Sequence, residues 1–282
     1  MNLFRLARMI AAHPVNRRAR LHAFARFMRW QLGSRLLRRP VALPFVNGTS
    51  LITETGMVGS TPNYYFGLHE MDDMGFALHV LRAGDLFADL GANVGSYSVI
   101  ASVTGAEIIS VEPVPVTYER LMRNIRFNGI AAETHRCGLS SAKGELRFTT
   151  DRDAMNRVAA PGYSGPAVTV PVESLDDLLA GRVPFLMKID VEGHEPHLLE
   201  GAVRTLADPA LQAVLMETNA NVPTLMERMT AHGFSAHRYD ALERRLHPAS
   251  GPQQNTIFLR DSANIQVRCT EAPRYLLVNG TI

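Results

Sequence analysis

A Rossmann-like α/β fold, a largely parallel sheet with helices on both faces behind an N-terminal basic helical extension, is what this sequence predicts. Three observations carry that reading. Residues 86 to 97, Leu-Phe-Ala-Asp-Leu-Gly-Ala-Asn-Val-Gly-Ser-Tyr, run an apolar strand into Asp89 and then into a Gly91-x-x-x-Gly95 turn. A second apolar run, Ile108 to Val111, ends in Glu112-Pro113 roughly twenty residues later, so two successive strands carry an acid at their carboxyl ends. Phe185 to Asp190 and Ala213 to Glu217 are mainly apolar runs, each ending in an acid, of the kind that strands of a sheet buried on both faces show.

The elements follow in order. Residues 1 to 39 hold ten arginines and the first acid is Glu54, leaving nineteen basic against twenty-seven acidic residues in the rest of a chain whose net charge is only +2. Within that arm Leu21, Phe24, Ala25, Met28, Leu32 and Leu36 recur at helical spacing, with Trp30 nearby and Arg20, Arg26, Arg29 and Arg35 on other faces. The first expectation is a helix packing on the acidic body, and contact with nucleic acid or an anionic membrane surface is the alternative. Pro40 and Pro44 then break the helix, and short strands and turns join it to the body. The boundary falls between an arm at 1–60 and a main domain at 61–282.

Residues 69 to 82 place Met71, Met74, Ala77, Leu78 and Leu81 on one helical face, expected to cover the mouth of the site beside Tyr64, Tyr65 and Glu70. Val114, Tyr118, Leu121, Met122 and Ile125 mark the helix after Glu112, and a third strand is expected at 132–137. Residues 144 to 172 read as a hairpin-like insert whose polar stretch, 151 to 166 with Met155, Asn156 and Arg157, is the candidate lid over an acceptor. A late strand is expected at 255–260. At 282 residues and 46% apolar content the chain supports one large domain plus its extension.

No apolar run reaches the length of a membrane span, and arginines interrupt the start too often for a secretory signal, so a cytoplasmic protein is expected. Cys137 and Cys269 lie far apart with no Cys-x-x-Cys, as buried thiols in a reducing compartment do.

The glycine turn restricts the cofactor. A dinucleotide fingerprint starting at Gly91 needs glycines at the positions held by Asn93 and Val94 or Ser96, and a P-loop needs Gly-Lys-Ser/Thr, which does not follow Gly95. A nucleoside with a ribose and a charged tail but no phosphate fits instead, and S-adenosylmethionine is such a molecule, with Asp89 suited to its ammonium group and Glu112 to its ribose diol. Ala92, Asn93, Gly95, Tyr97 and Pro113, with Asp190 facing both the methionine moiety and the acceptor, complete the expected cofactor contacts around Gly91.

The runs Gly84 to Gly95, Val111-Glu112-Pro113, Leu121 to Asn128, Ser174 to Asp177, and Lys188-Ile-Asp-Val-Glu-Gly-His-Glu195 resemble the FkbM family of S-adenosylmethionine-dependent methyltransferases over roughly residues 60 to 260. The resemblance implies a seven-stranded class I methyltransferase sheet. It also implies methylation of a hydroxyl on a sugar, glycan or secondary metabolite, without identifying the acceptor. Nucleic acid as acceptor is not expected, since Asp-Val-Glu-Gly stands where many base-amino methyltransferases carry Asn/Asp-Pro-Pro-Tyr/Phe. Methylation of nitrogen, or a scaffold protein that binds the cofactor without turnover, are the alternatives.

Methyl transfer to a neutral hydroxyl calls for a base or a metal that eases loss of its proton. Asp190, Glu192 and His194 lie where such sheets place ligands, at the end of the fourth strand. His194 is a candidate base because an unperturbed imidazole titrates near neutrality. Asp190, Glu217 and Asn219 form a candidate oxygen-ligand set for a divalent cation, with hydrogen bonding around the acceptor as the favoured role for these groups.

Overall fold

The computed structural model describes residues 8–10, 12–16, 20–57, 59–218, 222–249 and 254–282. In chain order the strands are β1 (Val41–Pro44), β2 (Ser50–Thr53), β3 (Leu86–Leu90), β4 (Glu107–Val111), β5 (Glu133–His135), β6 (Gly138–Leu139), β7 (Gly144–Thr149), β8 (Ala167–Glu173), β9 (Leu186–Ile189), β10 (Ala213–Glu217), β11 (Ser235–Asp240), β12 (Arg245–Pro248), β13 (Asn255–Leu259), β14 (Leu276–Leu277) and β15 (Gly280–Thr281). The main sheet runs β12-β11-β13-β10-β9-β3-β4-β5. Strands β5, β4, β3, β9 and β10 are mutually parallel, and β13 pairs antiparallel with both β10 and β11. The expected seven strands are therefore present, and β12 adds an eighth at the edge by hairpin pairing with β11.

The chain moves outward from β3 to β4 and β5 and then returns to the other side of β3 as β9. The carboxyl ends of β3 and β9 thus flank the point where the order reverses, which is where open parallel sheets leave a crevice. Alternation along the strands fills both faces. Phe87 and Ile108 join Phe76, Val99 and Ile100 on one side, whereas Ala88 and Ile109 join Leu198, Val214 and Phe258 on the other.

The arm helix, α1 (Arg20–Leu37), forms as its spacing predicts, but its buried side is not the expected one. Ala23, Phe27, Trp30 and Ser34 are buried, while Leu21, Phe24, Met28, Leu32 and Leu36 are exposed. Aromatic rings decide this, because Phe27 and Trp30 offer the larger apolar area to Tyr64, Tyr65 and Phe66 of α2 (Thr61–Phe66). Phe27 meets Tyr65 edge to face at 5.3 Å, the Gln31 side chain donates to Tyr65 Oη at 2.8 Å, and Arg29 donates to Tyr64 Oη. Tyr64 and Tyr65 therefore hold the arm and not the cofactor mouth.

The predicted helix at 69–82 is α3 (Met71–Val80), and α4 (Ser96–Ser102) and α5 (Pro115–Phe127) follow β3 and β4. On α5, the buried Asn124 accepts from the Ile52 amide and donates to the Val94 carbonyl, both at 2.7 Å, tying the β1–β2 hairpin to the glycine turn. Asn128 makes a reciprocal pair with the Ser50 backbone. Strands β7 and β8 form the expected antiparallel insert, and its tip carries one turn of 3-10 helix at Asp153–Met155. Among the described residues no helix is long and apolar enough to cross a membrane.

Candidate active site

The glycine turn is fixed by both neighbouring strand ends. The Gly91 and Ala92 amides donate to the Val111 carbonyl at 3.0 and 2.9 Å, and the Asp190 amide donates to the Leu90 carbonyl at 3.0 Å. Gly91 has φ +81°, and a Cβ there would run into the Asp190 carbonyl oxygen. The residue is glycine because the ends of β3 and β9 meet there. Gly91→Ala should destabilise the fold by about 3 kcal/mol or more, combining a left-handed backbone angle with backbone collision. Urea unfolding with an unchanged denaturant slope checks this, and a change within measurement error would mean the strand ends can separate at no cost.

Glu112, at the end of β4, is 6% exposed. Its carboxylate accepts from the Asn93 amide at 3.0 Å and the Val114 amide at 2.9 Å, joining the glycine turn to the start of α5. Burial pushes its pKa up to about 7 against those two bonds. Around it lies a cavity of about 580 Å³, lined by Gly91, Asn93, Glu112, Pro113, Cys137, Gly138, Leu139, Phe148 and Asn156, and on the β9 side by Asp190, Glu192 and His194.

Asp89 does not reach this space. It is fully buried, accepts from Ser98 Oγ at 2.6 Å, and through Ser98 connects to Ser110 at 2.9 Å. It lines neither this cavity nor the next one; its Oδ2 braces β3, β4 and α4 through Ser98, while its Oδ1 is buried with no hydrogen-bond partner among the described residues. Gly95 also lines neither cavity, because its φ of +86° turns the chain into α4 against Leu121.

A second cleft of about 1190 Å³ adjoins the first, and Asn93, Ala154, Asp190 and Glu192 line both. Its other walls include Ala92 and Tyr97, placed here instead of at the first cavity, with His69, Glu70, Met155, Lys188, Glu217 and Asn255. Lys188 Nζ pairs with Asp190 Oδ2 at 2.9 Å and sits 5.1 Å from the centre of the Tyr97 ring. Burial works against its charge, yet Asp190, Asp89 and Glu70 outweigh burial and hold its pKa above the ordinary lysine value. Tyr97 Oη donates to Glu70 at 2.8 Å, and the Asn255 amide donates to Glu70 at 3.3 Å and Asp73 at 2.8 Å.

At the cleft, carboxyl groups have pKa values moved toward neutrality. Burial, then Asp190 and Glu195, push Glu192 up to about 7. Burial, then Asp190, Glu192 and Glu195, push Glu217 up to about 8. Glu192 sits at φ +53° just before Gly193 at φ +94°, a left-handed pair that reverses the chain between β9 and the helix Glu195–Glu200. Oxygens of Asp190, Glu192 and Glu217 lie within 4.8 Å of one another, a spacing suited to sharing a proton or a cation. Lys188 supplies a positive charge to that group already. The third proposed metal ligand, Asn219, lies outside the described residues.

His194 differs from its expectation. Its Nε2 is 3.1 Å from Ser140 Oγ and its ring stacks on His197 at 4.4 Å, so burial and the neighbouring imidazole push its pKa down to about 4. It lines the first cavity but not the second. Sequence reasoning left Lys188 and Asn255 without roles. The signal for Lys188 was its place two residues before Asp190 on the same strand, where side chains share a face. Asn255 had no local signal.

Residues 89–240 match the family model for the methyltransferase FkbM domain. The chain is 32% identical over 156 residues to the hexuronic acid methyltransferase AglP of Haloferax volcanii, covering 54% of this chain and 64% of that protein. It is 25% identical over 194 residues to the 31-O-demethyl-FK506 methyltransferase FkbM of Streptomyces tacrolimicus, covering 55% and 74%. The chain thus spans less than two thirds of the archaeal relative's length. A solved SAM-dependent methyltransferase from Agrobacterium tumefaciens superposes with TM-score 0.44 at 12% identity, covering 79% of this chain and 70% of that one. The strand order, not that overlap, sets the fold class.

Proposed function

This chain belongs to the FkbM family of methyltransferases, and from that premise we propose that it methylates a hydroxyl oxygen of an uncharged, polyhydroxylated acceptor, using S-adenosylmethionine. The observation that carries the proposal is the meeting of two cavities at Asp190 and Glu192. One has the form of a nucleoside site and the other is walled by hydrogen-bonding side chains.

The residues of the first cavity fit S-adenosylmethionine. Both oxygens of Glu112 keep acceptor capacity beyond their backbone bonds, as a ribose diol requires. At Gly138 a Cβ would press on Phe148 and Val172, so the missing side chain keeps the wall compact beside the space for a base. Among the described residues the lining has acids but no lysine or arginine, which suits a cationic sulfonium and not a phosphate. S-adenosylmethionine, when bound, supplies an electrophilic methyl group.

The chain's own tasks are to hold the acceptor and take its proton. Glu192 and Glu217 are the groups matched to proton acceptance near neutral pH, and Asp190, oriented by Lys188, positions the hydroxyl between the two cavities. His194, held near pKa 4, is a poor base at neutral pH. The acceptor class follows from charge. Glu70, Asp190, Glu192 and Glu217 face the cleft, and Lys188, its one lysine or arginine among the described residues, is paired with Asp190. An anionic sugar such as a hexuronate, which the archaeal relative's name indicates, would meet repulsion here that grows as Glu192 and Glu217 ionise through about pH 7 and about pH 8. Assays with a neutral hexose glycan and its hexuronate counterpart test this, and faster turnover of the hexuronate would refute the acceptor assignment.

The pH dependence has a defined sign. Both glutamates lose their protons as pH rises through about 7 and about 8, so kcat/KM should climb across that interval. Glu217→Gln should lower the plateau and move this limb. A raised carboxyl pKa also means that ionisation costs folding stability, lost progressively from the ordinary value of 4.5 up through about 8. Glu217→Gln should accordingly raise Tm by a few degrees at about pH 9 and hardly at all at about pH 5. Equal shifts at both pH values would contradict the raised pKa.

A further inference from the structure

We propose that the outer face of α1 is a docking surface for an anionic lipid bilayer. The arm's inner side is committed to the body through Ala23, Phe27, Trp30 and Ser34. On the opposite side Leu21 is 84% exposed, Phe24 51%, Leu32 65% and Leu36 84%, with Met28 between them. At 3.6 residues per turn these five fall within an arc of about 120°, a continuous apolar stripe along a helix whose other face is fully used. Stripes of that kind on a water-exposed helix mark interaction sites, since scattered apolar residues would not align.

Charge identifies the occupant. Arg20 and Arg35 are exposed on the helix, and Arg38 and Arg39 are exposed just past its end, where with Arg35 they line a hollow that also holds Glu54; among the described residues no carboxylate forms an ion pair with any of the four, Glu54 pairing instead with Arg120 and Arg123. Through residue 53 the sequence contains no acid at all. A bilayer with anionic headgroups satisfies both features: the apolar stripe enters the headgroup boundary while arginine stems reach back to phosphate. Nucleic acid would take the arginines but leave Leu21, Phe24, Leu32 and Leu36 without a partner. A second copy docked helix to helix would set arginine against arginine. Beneath the helix, a hollow lined by Trp30, Gln31 and Ser34 reaches His69, which also lines the acceptor cleft.

The test is co-sedimentation of the full chain with phosphatidylcholine vesicles, with and without phosphatidylglycerol, comparing wild type with Leu21→Glu/Leu32→Glu/Leu36→Glu. The three side chains are exposed, so the variant should retain its thermal melt. Wild type should bind the anionic vesicles roughly tenfold or more tightly than the neutral ones, and the variant should lose that binding by a similar factor. No binding to anionic vesicles overturns the proposal, as does binding that the variant retains. A wild-type dimer that the variant converts to monomer, without vesicle binding, assigns the stripe to a second copy instead.

Discussion

Asp190→Asn should lower turnover by about 10²- to 10³-fold while leaving S-adenosylhomocysteine affinity within roughly tenfold of wild type. Asp190 is the residue in which the site's features converge. Its amide closes the β3–β9 junction, its carbonyl occupies the space beside Gly91, and its carboxylate pairs with Lys188 while facing both cavities. The asparagine keeps the backbone and the volume but removes the charge. Lys188 then loses its paired carboxylate, and the side chain that positions the hydroxyl between the two cavities no longer carries a charge. Steady-state kinetics paired with product-analogue titration separates the two effects. Turnover within threefold of wild type, on the order of a minor binding change, would remove Asp190 from the acceptor side and reopen the reading of the chain as a cofactor-binding scaffold.

Glu112→Ala should weaken S-adenosylhomocysteine binding by about 10²-fold or more, because hydrogen bonds to a charged group contribute roughly 1.5–3 kcal/mol each. Two effects add. The variant loses acceptors for the ribose, and it frees the Asn93 and Val114 amides that Glu112 holds at the turn. With the carboxyl pKa near 7, wild-type affinity should also fall as pH drops below neutrality, since a protonated carboxyl accepts fewer hydrogen bonds. The alanine variant should lose that pH dependence. Calorimetric titration at two pH values measures both, and unchanged affinity would exclude Glu112 from the ribose site.

Much of this site is legible in the sequence where the signal is local. Asp89, Gly91, Asn93 and Glu112 stand within two strand-turn units, and the periodicity of those units fixes both the strands and the crevice between their ends. The Lys188 to Glu195 run likewise announces its turn through Gly193. What is not legible depends on contacts between distant segments. Glu70 and Asn255 come together across 185 residues of chain, and nothing near either residue signals the other. Burial lowers the basicity expected of His194, because Ser140 reaches it from 54 residues away while its helix neighbour His197 stacks on it. It also removes Asp89 from solvent although the motif around it is intact.

The arm shows a different limit. Its periodic leucines are real, but a helix with apolar residues on two sides does not declare which side the body will cover. Trp30 and Phe27 settle the matter through the aromatic patch on α2, which lies past the hairpin. The larger insert strands β7 and β8 were legible because alternation sets them, whereas the participation of Ala154 and Asn156 in the first cavity arises only once the tip folds over.

The most direct test of the central claim is calorimetric titration of the full chain with S-adenosylhomocysteine, run beside NAD. The account predicts one-site binding of the nucleoside at micromolar affinity and no heat from NAD, since the turn at Gly91 lacks the glycines that a pyrophosphate needs. Binding of NAD, or no binding of the nucleoside by protein with an intact thermal melt, would contradict it.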